Sequence, residues 1–266
     1  MAAIEVFRDG GSHRAERAWV PEAPVALEYN GVAYAVMMAT PSDLPDFAAG
    51  FAIAEQLATS AADIVDTAVA EVELGWIVRT TVTGLGSERL GERVRTRVAE
   101  SSCGLCGIEN LTALAQPLPR VALHERIASE AIFAALAALP AHQQLGRATR
   151  AAHAAAWADA AGAIDLVRED VGRHNAVDKL TGAMLRAGRP LAGGFVLSTA
   201  RCSYEIVEKA VRAGATTLVT VSLPTSLAVE RAAAAGLSLW ALARDDSVLL
   251  VHDASGAGEG PRHRLG

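Results

Sequence analysis

Gly194-Phe195-Val196-Leu197-Ser198-Thr199-Ala200-Arg201-Cys202-Ser203-Tyr204-Glu205-Ile206-Val207-Glu208-Lys209-Ala210-Val211-Arg212-Ala213-Gly214 is the stretch whose reading decides the fold class. Its first five residues are a short, mostly apolar run of the kind that makes a buried strand. A small polar loop with one arginine follows. Residues 204–213 then read as a helix, closed by Gly214. The unit recurs downstream: a strand over 216–221, the loop Ser222-Leu223-Pro224-Thr225-Ser226, and a helix over 226–235 closed by Gly236. Strands over 237–242 and 248–251 complete it. Upstream, residues 163–168 read as a strand and 175–186 as a helix with Val177, Leu180, Ala183 and Met184 on one face. Residues 151–158 suit either state. Strands alternating with helices of this size predict an α/β layered domain with a largely parallel sheet.

The first half reads differently. Val25, Leu27 and Tyr29 alternate with Ala26 and Glu28, and Asn30-Gly31 is a two-residue hairpin turn before a return strand over 32–38. Thr40-Pro41-Ser42-Asp43 starts a helix, with Leu44, Phe47, Phe51, Ala54 and Leu57 at helical spacing. Strand character returns over 69–85 and 93–99. Residues 129–139 read as a helix ended by Pro140, and 143–150 as a polar connection. The expected division is an α+β domain over 1–145, an α/β domain over 146–252, and a Gly-rich, charged, disordered tail over 253–266.

Composition narrows the function. The chain has 266 residues, 51% of them apolar, enough for a core without disulfides or metals. A net charge of −6 argues against a general nucleic-acid binder. No apolar run reaches the roughly 18 residues of a membrane span. Met1 to Gly11 lacks the apolar block of a signal peptide, so a cytoplasmic location is expected. The three cysteines then read as thiols or core residues rather than disulfides.

Two of them stand in Ser101-Ser102-Cys103-Gly104-Leu105-Cys106-Gly107. Glycine after each cysteine leaves the sulfurs uncovered, the opposite of what a core cysteine needs. A structural zinc site needs four ligands, and Cys202, His124 and His153 stand at no useful spacing, so no metal is expected. A redox pair and a sulfur-transfer thiol both fit the spacing, which does not rank them.

The second half offers a polar pocket. Arg168-Glu169-Asp170-Val171-Gly172-Arg173-His174-Asn175 follows a strand and precedes a helix. Ligands of α/β sheets bind beyond the carboxyl ends of the strands, and helix N-termini favour phosphate. Asn175 is the expected helix cap, with Arg173 and His174 beside it. The loops at Thr199–Ser203 and Ser222–Ser226 repeat the arrangement, predicting a shared pocket for a phosphate-bearing ligand with Arg173, Arg201 and Arg244 as partners. Cys202 reads as packing or pocket lining.

These motifs together resemble the formate dehydrogenase accessory sulfurtransferase (FdhD) family. The matching pieces are Glu22-Ala23-Pro24, Asn30-Gly31, Thr40-Pro41-Ser42-Asp43-Leu44, Gly50-Phe51, the cysteine loop, Arg168 through Lys179, Tyr204-Glu205-Ile206-Val207-Glu208-Lys209-Ala210 and Pro224-Thr225-Ser226-Leu227-Ala228-Val229. The resemblance implies a sulfur carrier that accepts sulfur from a cysteine desulfurase as a persulfide on Cys103, with Cys106 as its partner. The acceptor it implies is the molybdenum bis(molybdopterin guanine dinucleotide) cofactor that formate dehydrogenase needs. It also implies a cytoplasmic homodimer whose second half resembles the three-layer cytidine deaminase fold without its zinc chemistry. The implied cofactor contact maps onto Leu242, Ala243, Arg244, Asp245, Asp246 and Ser247. The chain departs from the family at Arg150-Ala151-Ala152, where glycines and threonine are usual, at Ala200, and at Leu242, where an aromatic is usual. A cofactor-binding chaperone without sulfur transfer, and a thiol–disulfide oxidoreductase, are the alternative functions.

Overall fold

The computed structural model describes residues 2–85, 90 and 116–256. The expected strand over 93–99 and the Cys103–Cys106 loop lie outside the described residues. The first half holds β1 (Ala2–Val6) and β2 (Ser12–Glu16), an antiparallel hairpin that the sequence reading did not anticipate. Then come β3 (Ala23–Tyr29) and β4 (Val32–Ala39), joined where Asn30 and Gly31 both take positive φ, 50° and 79°. That conformation is the two-residue turn matched to strand twist, which is why Asn-Gly signals it. Helix α1 (Leu44–Ala54) follows, then β5 (Ile64–Val72) and β6 (Gly75–Val82). The strand character expected over 69–85 belongs to the end of β5 and the whole of β6, which form a hairpin. Its turn, Glu73-Leu74, carries no glycine pair to announce it, and the glycine sits one residue later. A side chain at Gly75 would meet the Pro24 carbonyl oxygen at 2.3 Å.

These four strands form a sheet in the order β4-β3-β6-β5, with β3 and β6 parallel and the other pairs antiparallel. Val25, Leu27 and Tyr29 point inward onto Phe47 and Phe51 of α1. The period-two alternation of β3 and the helical spacing of α1 are thus two halves of one core.

The second half holds α2 (Ser129–His142), α3 (Gln144–Thr149), β7 (His153–Asp159), β8 (Ile164–Asp170), α4 (Arg173–Arg186) and β9 (Gly194–Ser198). It continues with α5 (Tyr204–Arg212), β10 (Thr217–Thr220), α6 (Ser226–Ala235), β11 (Ser238–Ala241) and β12 (Leu249–His252). The six-stranded sheet runs β12-β11-β10-β9-β7-β8. Only β9, β10 and β11 are mutually parallel; β12, β7 and β8 pair antiparallel to their neighbours. This corrects the expected largely parallel sheet. A parallel pair needs a crossover of a dozen or more residues, and the connections after β7 and β11 are too short for one. Alternate residues pack on opposite faces: Val196 and Leu218 lie against α4, α5 and α6, while Phe195, Leu197 and Val219 lie against α2. The result is a mixed α/β fold in three layers here. Helix α2 packs on this second sheet although its residues precede 145. Pro140 falls inside α2 rather than ending it, two residues from the terminus where one lost hydrogen bond matters least. Beyond β12, Ala254 donates its N–H to Ser238 Oγ (3.1 Å) and Asp253 pairs with Arg126, so the tail expected from 253 is anchored as far as Gly256.

Helices α1 and α4 lock the halves together. A side chain at Gly50 would lie 1.8 Å from the Asp178 carbonyl oxygen, and one at Gly182 would lie 1.8 Å from that of Asp46. The two backbones touch there, and only glycine allows it. Among the described residues, no helix is long and apolar enough to cross a membrane.

Candidate functional site

Strand register collects the sequence-predicted pocket residues on one edge of the six-stranded sheet. His153 opens β7 opposite Asp170, which closes β8; Ala155 lies opposite Ser198, which closes β9; Ser198 lies opposite Thr220, which closes β10. The Ala243 N–H donates to the Thr220 carbonyl (3.2 Å), bringing the segment after β11 to the same place. Helices α4, α5 and α6 all begin here, each with its N–H groups facing the edge.

Arg173 and His174 are the first two residues of α4, and Arg201 is exposed in the loop before α5. Leu242 adopts a left-handed φ of 48°, which reverses the chain; Ala243 is buried, and Arg244, Asp245, Asp246 and Ser247 are exposed. The Arg244 N–H donates to the Ser247 carbonyl (2.9 Å), closing a tight turn. Arg150 likewise sits at φ 56°, a conformation a glycine there would adopt without strain. The β9–α5 and β10–α6 loops are joined by the Thr225 N–H donating to the Cys202 carbonyl (3.0 Å).

Charge on this edge is uneven. His174 Nε2 lies 3.1 Å from Glu205 Oε2, and His174 holds the Glu205 carboxyl below its usual range. Burial, then the positive charges of Arg173 and His174, push the half-buried His153 imidazole below its ordinary value. Arg173, Arg201 and Arg244 enter no ion pair among the described residues. Unpaired guanidiniums beside helix N-termini are suited to binding phosphate. Cys202 is fully buried and its thiol is pushed up to about 12 by desolvation, so it carries no thiolate at neutral pH. That agrees with its reading as a packing residue.

The sequence reading missed what the rest of the Arg168–Lys179 block does. Asn175 does not cap α4, which begins two residues earlier with Gly172 at the cap position. Its amide instead donates to the Met38 carbonyl and to Asp170 Oδ1, both at 2.9 Å. Asp170 and Lys179 form a fully buried ion pair at 2.6 Å. Asp170 also accepts from the N–H groups of Thr40 (3.0 Å) and Gly172 (2.7 Å), and Lys179 donates to the Thr40 carbonyl (2.9 Å). Arg168 and Arg186 both pair with Asp46 of α1. Asp178, whose carboxyl burial pushes up, is held by Lys209 at 2.8 Å. The Thr40–Asp43 and Arg168–Lys179 motifs, read separately in the sequence, are thus partners across the junction of the two halves. The available signal was Lys179 among the apolar positions Val177, Leu180 and Ala183 of the expected helix.

Residues 20–255 match the FdhD/NarQ family. A protein of Variovorax paradoxus named sulfur carrier protein FdhD is 42% identical over 238 residues, covering 89% of this chain and 86% of its own. Proteins of the same name from Xanthomonas euvesicatoria (43% identical, covering 95% of this chain and 90% of its own) and Cupriavidus necator (44%, covering 84% and 77%) are similar. A crystal structure described as a formate dehydrogenase accessory protein from Desulfotalea psychrophila superposes with a TM-score of 0.72. It covers 95% of both chains at 22% identity, and so shares the fold.

Proposed function

The chain belongs to the FdhD/NarQ family, and from that premise we propose that it is a sulfur carrier that loads sulfur on Cys103 and delivers it to a guanine-dinucleotide molybdenum cofactor. In the loading step the Cys103 thiolate attacks the terminal sulfur of a cysteine desulfurase persulfide. A new S–S bond forms on Cys103, the donor's S–S bond breaks, and the desulfurase cysteine leaves as a thiolate. The carried sulfur then passes to molybdenum bis(molybdopterin guanine dinucleotide), which is the acceptor substrate. Formate dehydrogenase is the client, Cys106 supports Cys103, and the carrier works in the cytoplasm as a pair of identical copies.

The observation that carries this reading is the open edge of the six-stranded sheet. Three helix N-termini meet there, with Arg173, Arg201 and Arg244 unpaired and His174 held by Glu205. That is a donor set for phosphates and not for a bare metal ion, and it fits the diphosphates of the acceptor. The turn at Leu242–Ser247 supplies backbone groups and two carboxylates able to take a guanine's N–H donors. Cys202 is buried and protonated, which leaves the sulfur chemistry to Cys103 and Cys106.

The test is mass spectrometry of the full chain after incubation with cysteine and a desulfurase. One added sulfur is expected on Cys103 and is absent from Cys103→Ala, which also fails to activate formate dehydrogenase. Normal activation by Cys103→Ala would sink the reading and point to a cofactor-binding chaperone. A reversible Cys103–Cys106 disulfide with turnover of protein disulfides would point to an oxidoreductase.

A further inference from the structure

Strand β7 begins at the candidate edge with His153, a residue with no part in the sulfur chemistry. Side chains alternate along a strand, so His153 shares a face with Ala155 and Trp157. Those two pack in the cluster beneath α4, α5 and α6, which places the His153 ring on the face where α4 begins. The ring is half-buried. Neither of its nitrogens has a hydrogen-bond partner among the described residues, and neither is sealed from solvent. A histidine kept only for packing would have its ring nitrogens bonded.

The charges around this ring are one-sided. Burial opposes a positive charge on it, and so do Arg173 and His174 from α4. Asp170 of β8 favours one, but Lys179 and the N–H groups of Thr40, Gly172 and Asn175 already occupy that carboxylate. Glu205 of α5 stands 3.1 Å from His174 Nε2 and serves that ring instead. The neighbours on the β9 side, Ser198 and Thr199, carry no charge, and Arg150 ahead of β7 is exposed.

We infer that His153 is a phosphate-binding residue of this edge, and that it takes up a proton as the phosphate binds. The inference rests on the phosphate reading of the edge given above. An anion seated on Arg173 offsets the charge that keeps His153 neutral, and an opposite charge within about 4–6 Å favours the imidazolium. The proton comes from solvent, and the new N–H becomes a charge-assisted donor to a phosphate oxygen. A metal ion is the other ligand an open imidazole takes. Among the described residues, however, no three His, Cys, Asp or Glu side chains are grouped to hold one. The consequence is selectivity. An uncharged nucleoside leaves His153 neutral and forgoes one donor, whereas a diphosphate recruits it.

Calorimetric titration of the full chain with guanosine diphosphate tests the inference, run at pH 6.5 in two buffers of different ionisation enthalpy. The parent should take up more proton on binding than His153→Gln does. The ligand's own terminal phosphate titrates near pH 6, but it does so with both proteins, so the difference isolates His153. At pH 6 the variant should bind about tenfold more weakly than the parent, and the gap should close toward pH 8. Magnetic resonance of the imidazole gives a second readout. The His153 titration midpoint should rise when guanosine diphosphate is added, and should already sit higher in ligand-free Arg173→Ala. A midpoint unmoved by the bound ligand, or equal proton uptake in the two proteins, overturns the inference and leaves the phosphate site standing. No binding by the parent at any pH overturns both. Sulfur loading of Cys103, read by mass in the same samples, is separate from either outcome.

Discussion

Two regions only three residues apart along the chain are built on opposite plans. At the junction of the halves, Asp170 and Lys179 are wholly buried, and every polar side-chain atom of the pair has a partner: each other, Thr40 just after β4, Gly172 at the start of α4, or Asn175. At the sheet edge, Arg173 and Arg201 carry charge with no ion partner among the described residues. Burial explains the difference. A charge removed from water must be paired, whereas the exposed Arg201 and the half-buried Arg173 keep enough hydration to stay available. The contrast teaches that one dense polar motif performs two tasks. Its Asp170, Asn175 and Lys179 hold the start of α4 in place, and its Arg173 and His174 use that placement to face a ligand.

The largest effect should come from breaking the buried side. Lys179→Met leaves the Asp170 carboxylate unpaired in the interior and should cost about 3–5 kcal/mol, measured as the urea midpoint. The double variant Asp170→Asn/Lys179→Met should recover much of the loss, since both charges are then gone. An unchanged midpoint in the single variant would remove the junction from the account of stability.

The open side should respond in the reverse sense. Arg173→Ala and Arg201→Ala should stay within about 0.5 kcal/mol of the parent in stability. Each should weaken binding of guanosine diphosphate, the phosphate-bearing fragment of the proposed acceptor, by about tenfold, or roughly 1.4 kcal/mol. Titration calorimetry reads both, and equal affinities would show that these guanidiniums do not meet the phosphates.

The smallest effect lies where the two regions meet, at His153. Its folded pKa lies below the ordinary value of 6.5, so the unfolded chain takes up a proton first. Its contribution to stability is complete above pH 6.5 and is lost as pH falls through the lower folded value. His153→Gln should flatten the fall in unfolding midpoint just below pH 6.5. Glu205, also depressed, acts in the same direction, but its loss begins only below its ordinary 4.5, whereas that of His153 begins at 6.5.

Legibility in the sequence followed the range of the interactions. The β9–α5–β10–α6 succession was readable because each strand, polar loop, helix and closing glycine is specified within about ten residues. The elements Gly194–Ser198 and Ser226–Ala235 stand where the pattern puts them. The β5–β6 hairpin was not readable, because its turn carries no turn-forming pair. The mixed strand directions followed from connection lengths, which the sequence contained but which strand propensity does not weigh. The family, and with it the interest of Cys103 and Cys106, was legible from motifs, while their loop lies outside the described residues.

By itself the sequence determined the local periodicities, the turn at Asn30-Gly31, the glycine-rich cysteine loop and the arginines at the starts of two of the three candidate helices, Arg173 and Arg201. Only the tertiary structure decided which polar residues are structural and which face solvent. That choice depends on groups more than a hundred positions apart, such as Thr40 with Asp170 and Asp46 with Arg168. The close contact of Gly50 and Gly182 sets these pairings by bringing two backbones together. No local pattern encodes such a contact, because its free energy comes from packing and desolvation that exist only once the chain has closed.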